Sequence, residues 1–96
     1  MNKRVTFQGF ECEVHKITYN NGRVGLQLND IIDGCPIATA TINMPEIELA
    51  PDEVIIKDYS DNTGMTEVLV QGGVIELTNR KAMTGYVYAP ICKLLI

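Results

Sequence analysis

YNNGRVGLQL, residues 19–28, decides how this chain is read. Asn21 and Gly22 suit the two central places of a type I′ turn, where both φ angles are positive. Beyond them Val24, Leu26 and Leu28 alternate with Gly25 and Gln27. A period of two places the three apolar side chains on one face of a strand. The stretch therefore reads as the turn and second strand of a β-hairpin with one buried face.

Upstream, RVTFQGFECEVHKITY (residues 4–19) supplies two more strands. Val5 and Phe7 alternate with polar neighbours, Gly9 offers a turn or bulge, and Cys12 and Val14 alternate with Glu11, Glu13 and His15. The apolar phase slips near Lys16, because Ile17 and Tyr19 are odd-numbered, and a bulge there would absorb the slip. Downstream, Asp33, Gly34 and Pro36 interrupt the pattern. The β-branched run IATATINM (residues 37–44) then reads as a strand that Pro45 ends. EVIIK (residues 53–57) is a short apolar run, the mark of a buried strand.

The helical period appears once. Met65, Val68, Leu69 and Gly72 fall at i, i+3, i+4 and i+7, and Gly72 and Gly73 stand where a helix ends. The spacing predicts a short helix over about residues 62–72. Such a helix depends on packing against a sheet. Val74 to Leu77 returns to extended chain, TNRK (residues 78–81) reads as a turn, and TGYVYAPICKLLI (residues 84–96) as a last strand. That strand would carry Tyr86 and Tyr88 on one half-buried face, and Pro90 would confine it to an edge or bend. The expected fold class is α+β, a mostly antiparallel sheet with one short helix packed on it. Its 96 residues make a single domain, residues 1–96.

Composition narrows the function classes. A hydrophobic share of 46% suits a globular core. Three scattered cysteines, Cys12, Cys35 and Cys92, do not form a secreted disulfide framework. The stretch MNKRVTFQGF lacks the apolar segment of a signal peptide, and no apolar run approaches the ~18–20 residues of a membrane helix. These features lead to an expectation of a cytoplasmic protein. The net charge of −4 is uneven. Residues 46–61 hold Glu46, Glu48, Asp52, Glu53, Asp58 and Asp61 against Lys57 alone, and from Thr78 onward there is no acid. Duplex DNA repels an acidic middle of this kind, whereas a basic protein surface attracts it. Those six acids are the candidate partner-binding residues, and a solvated loop rim is the plainer reading of the same charges.

Within that region, IKDYSDNTGM (residues 56–65) invites a catalytic or metal reading. Counted from Asp58 as an EF-hand loop, the glycine position is Thr63 and the final glutamate position is Leu69, so calcium chemistry fails at two essential places. Helix entry suits the residues better. Ser60, Asp61, Asn62 or Thr63 would accept hydrogen bonds from first-turn N–H groups, and Asp61 would complement the helix dipole. His15 is the single histidine, no spacing singles out one cysteine as its partner, and four zinc ligands are not to be found together. Gly72 and Gly73 lack the Lys and Ser/Thr of a phosphate loop. The expectation is no enzyme, no cofactor and no metal. Tyr86 and Tyr88 with Arg80, Lys81 and Lys93 form a basic, aromatic patch too sparse for nucleic-acid binding.

The second half of the chain resembles an uncharacterised family of small proteins from bacteriophages and other bacterial mobile elements. The residues that carry the likeness are Ile56, Lys57, Asp58, Tyr59 and Ser60, then Asn62, Gly64 and Met65 at the helix start. Gly73, Val74 and Ile75 follow, and Pro90, Ile91, Cys92, Lys93 and Leu94 close the chain. Thr63 departs from the pattern, standing where an acid is expected. The resemblance implies a mobile-element origin and carries over no catalytic residue. Together with the acidic middle it leads to the expectation of a non-enzymatic protein that binds a host protein. An anti-defence inhibitor docked on a nucleic-acid-binding nuclease, as anti-CRISPR proteins do, fits that expectation. A self-associating accessory protein, forming a homodimer through edge strands, and a cysteine-dependent enzyme are the alternatives.

Overall fold

The computed structural model describes residues 3–96. Met1 and Asn2, the start of the amino-terminal stretch read above, lie outside the described residues. Eight strands form two antiparallel four-stranded sheets. The first runs β1 (Arg4–Phe7), β2 (Phe10–Thr18), β3 (Val24–Asp30) and β4 (Pro36–Thr39), in that spatial order. The second holds β5 (Thr41–Ile42), β6 (Glu53–Ile56), β7 (Ile75–Thr84) and β8 (Val87–Leu94), with spatial order β5-β6-β8-β7. A 3-10 turn (Ser60–Asn62) precedes the helix α1 (Met65–Gln71). The α+β class, mostly antiparallel, is as the sequence indicates.

The β2–β3 hairpin forms, but not with the expected turn. Positive φ among non-glycine described residues is confined to Gln8, Ser60 and Asn79, so Asn21 does not have it, while Gly22 does (φ 85°). Gly22 N–H donates to Tyr19 O and Tyr19 N–H to Arg23 O, closing a three-residue loop. This is a type I turn completed by a left-handed glycine. The two-residue loop with both φ positive occurs instead at Gln8 and Gly9, between Phe7 and Phe10. The expected bulge at Lys16 is also absent, since β2 and β3 pair without interruption from Cys12↔Asp30 to Thr18↔Val24. Ile17 and Tyr19 simply face the other side. Lys16, in phase with Cys12 and Val14, is exposed.

IATATINM is not one strand. β4 ends at Thr39 and β5 begins at Thr41, in the other sheet. Ala40 is the corner: its N–H donates to Leu26 O at 2.8 Å, and its carbonyl accepts from Lys57 N–H at 2.8 Å. The corner is tight. A Cβ on Gly25 would lie 2.7 Å from the Tyr19 ring and 2.9 Å from Thr41 Oγ1, and the Tyr19 and Thr41 hydroxyls bond at 2.7 Å. TNRK likewise is not a turn but a bulge inside β7. Leu77 pairs with Cys92 and Arg80 with Ile91, and Asn79 takes the left-handed conformation (φ 65°). β8 is an inner strand, contrary to the edge expected from Pro90. The proline lies one place beyond the last β6 pair, Ile55↔Ile91, where no β6 partner is present to miss its N–H.

The second sheet is covered on both faces, which is why β6 reads as continuous Val54, Ile55 and Ile56. On one face Val54, Ile56, Ile75 and Cys92 pack with the first sheet's Val5, Phe7, Val14, Leu26 and Leu28 and with Met65 and Leu69 of α1. On the other, Ile55, Ala82, Ala89 and Ile91 pack under Ile42, Met44, Ile47 and Leu49. Seven residues of helix would not persist in water. Burying Met65 and Leu69, each worth about 1.5–3 kcal/mol, holds α1 in place. Its end is a Schellman motif: Gly73 (φ 72°) donates to Val70 O and Val74 N–H to Leu69 O.

Candidate functional site

The six candidate acids do not form one surface. β6, four residues and about 13 Å long, separates Glu46, Glu48, Asp52 and Glu53 from Asp58 and Asp61. Two of the six turn inward to hold the fold. Glu53 Oε1 accepts from Ala50 N–H at 2.8 Å, and Arg80 Nη1 reaches both its carboxylate oxygens at 3.0 and 3.2 Å. The Ala50 N–H and the Arg80 guanidinium hold its carboxyl below the usual range, against the opposing effect of burial.

Asp58 overturns the helix-entry reading in its details. The N-cap residue is Gly64, in the left-handed conformation (φ 95°), and it offers no side-chain cap. Instead Asp58 folds back from six residues upstream, accepting from Gly64 N–H through Oδ1 at 2.7 Å and from Thr66 N–H through Oδ2 at 3.0 Å. Burial pushes the Asp58 carboxyl up, but the donors on Thr66, Gly64 and Met65 outweigh it and leave it below the usual range. Of the four residues expected to cap, Asn62 is buried and donates to Thr39 O, and Asp61 is exposed, 3.8 Å from Lys57 Nζ.

The loop of residues 43–52, between β5 and β6, carries the outward charge. Glu46, Glu48 and Asp52 are exposed, and their carboxylates make no ion pair among the described residues. The loop is nevertheless fixed. Met44, Ile47 and Leu49 pack inward on the second sheet. Arg23 donates through Nη1 to Met44 O at 2.8 Å and through Nη2 to Ile47 O. Arg80 Nη2 donates to Glu48 O at 3.1 Å, and Asn21 Nδ2 to Asn43 Oδ1 at 3.1 Å. Hydrogen bonds from a charged donor contribute about 1.5–3 kcal/mol each. Two arginines therefore clamp the backbone of an acidic loop while leaving three carboxylates facing water. Nothing local in the sequence announces these clamps, because Arg23 lies 21 residues from Met44 and Arg80 lies 32 residues from Glu48.

The other candidates stay apart. His15 lies on the opposite side of β2 from buried Cys12, with Glu13 at 2.9 Å, and Cys92 is buried between the sheets. All three thiols are shifted away from the reactive thiolate. Burial and then Asp30 raise Cys12, Asp33 raises exposed Cys35, and burial pushes Cys92 up to about 11. A thiol reagent at pH 8 is expected to modify Cys35 and to leave Cys12 and Cys92 at least ~100-fold slower until the chain unfolds. Equal labelling of all three in the native protein would contradict this placement. Among the described residues, no three His, Cys, Asp or Glu side chains are grouped to hold a metal ion. Nor is any helix long and apolar enough to cross a membrane. Tyr86 and Tyr88 are not half-buried: Tyr86 occupies the β7–β8 turn and is fully exposed, and Tyr88 is 61% exposed. Compared with known proteins, the chain matches no family model, no curated protein and no solved structure.

Proposed function

We propose that this chain is a non-enzymatic binding protein that docks its clamped acidic loop on a basic surface of a host protein. The observation that carries the reading is the combination in residues 43–52: a backbone fixed by Arg23 and Arg80, and Glu46, Glu48 and Asp52 left facing outward. A loop already ordered loses little conformational entropy on binding, and its charges steer association. Asp61, at the far end of β6 and 3.8 Å from Lys57 Nζ, lies apart from this loop and is not part of the docking surface. A basic surface built for phosphates would also attract three spaced carboxylates, so the partner class of this proposal is a nucleic-acid-binding protein of the host cytoplasm. With the mobile-element origin that the resemblance implies, the partner we propose is a defence nuclease and the role that of an anti-defence inhibitor.

The competition is directly measurable. With the tagged chain immobilised and its partner bound, excess single-stranded oligonucleotide is expected to elute the partner. A partner that stays bound in that excess would show that the loop does not occupy a nucleic-acid channel.

A further inference from the structure

The face of the second sheet that carries α1 has an apolar surface the acidic loop does not share. In β8, Tyr88, Pro90 and Cys92 follow at intervals of two and so point to one face. Their partners Met83, Lys81 and Leu77 in β7 point the same way. Cys92 lies in the core with Met65 and Leu69, so this is the face covered by α1. The helix covers only part of it. Between α1 and β7 lies a groove of about 420 Å³ with Val70 and Leu77 on its walls and Asp58 and Glu67 among its polar residues. Farther along the same face, Met83 (56% exposed) and Tyr88 stand on the β7–β8 arm, which runs beyond the last β6 pair and has Tyr86 at its tip. Lys81, on that arm, makes no ion pair among the described residues.

We infer that two copies of this chain pair by exchanging arms: Met83 and Tyr88 of each copy enter the groove between α1 and β7 of the other, and Lys81 of each meets Glu67 of the other. Groove and arm lie on the same face of one sheet, as a two-fold contact requires, since the same patch must serve both partners. Charges match as well as shapes. The arm belongs to the stretch after Thr78 that contains no acid, and the groove is bordered by two carboxylates. A specific interface takes about 800 Å² per partner, roughly a seventh of the chain's 5724 Å². Exposed Tyr86 and the partly exposed Tyr88, Leu77, Met83 and Val70 supply the apolar centre of such a contact, and polar residues around the groove and arm, Lys81 and Glu67 among them, supply its rim. The charged Lys81 and Arg80 and the bulge at Asn79 guard the open edge of β7 against edge-to-edge pairing, so a face contact is favoured over an extended sheet. The acidic loops, on the opposite face, remain free in such a dimer and give it two docking surfaces.

Sedimentation of the full chain at about 100 μM tests this, a concentration that populates a dimer of micromolar affinity. The wild type is expected to sediment as a dimer, and Leu77→Glu and Tyr88→Glu as monomers with unchanged circular dichroism, both side chains being exposed. Lys81→Glu and Glu67→Lys are each expected to weaken the dimer about tenfold, and the double exchange to restore it. A monomeric wild type, a dimer that persists in both Leu77→Glu and Tyr88→Glu, or a double exchange as weak as the single changes would overturn the proposal.

Discussion

Replacing Asp58 with alanine is expected to destabilise the fold by about 3 kcal/mol, because two charge-assisted hydrogen bonds are lost and two first-turn N–H groups lose their acceptor. That is a large part of the roughly 5–15 kcal/mol typical of a domain this size. The carboxylate joins the end of β6 to the start of α1, bonding Gly64 N–H at 2.7 Å and Thr66 N–H at 3.0 Å. No side chain at the helix terminus offers an alternative cap. The effect has a pH signature. The folded-state carboxyl lies below its ordinary value, so its contribution is fully present above the unfolded pKa of about 4 and disappears as pH falls through the folded value. Denaturant titration of wild type and Asp58→Ala should show the full difference at pH 7 and a narrower one at pH 3. A difference below about 0.5 kcal/mol at pH 7, the range of ordinary surface substitutions, would remove Asp58 from this role.

Reversing Glu46, Glu48 and Asp52 together to lysine is expected to weaken partner binding at least ~100-fold, about 3 kcal/mol, while leaving thermal unfolding nearly unchanged. The two halves of the expectation have separate causes. Binding fails because three attractive contacts become repulsive. The fold survives because those carboxylates make no ion pair among the described residues, and the clamps of Arg23 and Arg80 act on backbone carbonyls. Glu53 must be left in place, since it anchors Arg80 and the Ala50 N–H. A triple variant that binds as tightly as wild type would show that the acids are only a solvated rim.

What the sequence made legible follows the range of the physics involved. Val24, Leu26 and Leu28, the EVIIK run and the Met65–Leu69 spacing each encode burial through local period, and each lies in the element expected. The turn at residues 20–22 departs from the type I′ expectation because the same Asn and Gly serve two loops that differ only in which pair closes them, Tyr19 with Arg23 in this case. The change of sheet at Ala40 is set by Leu26 and Lys57, far from it in sequence, so a β-branched run gave no sign of a corner. The site suffered more. A charge count cannot tell Glu53, held by Arg80 27 residues away, from Glu48, which faces water. Asp58 caps a helix whose first residue is seven positions downstream, outside the window in which cap residues are sought. Nothing in the sequence marks Met83 as exposed, because alternation marks both faces of a strand and leaves open how far a helix covers one of them.

The most direct test of the docking claim is capture from a bacterial lysate with the tagged wild type and the Glu46→Lys/Glu48→Lys/Asp52→Lys variant side by side, at low and high salt, with retained proteins identified. The account predicts one stoichiometric partner, held by the wild type at low salt, released at high salt and absent from the variant. Equal retention by both chains, or no retained partner on the wild type, would contradict it.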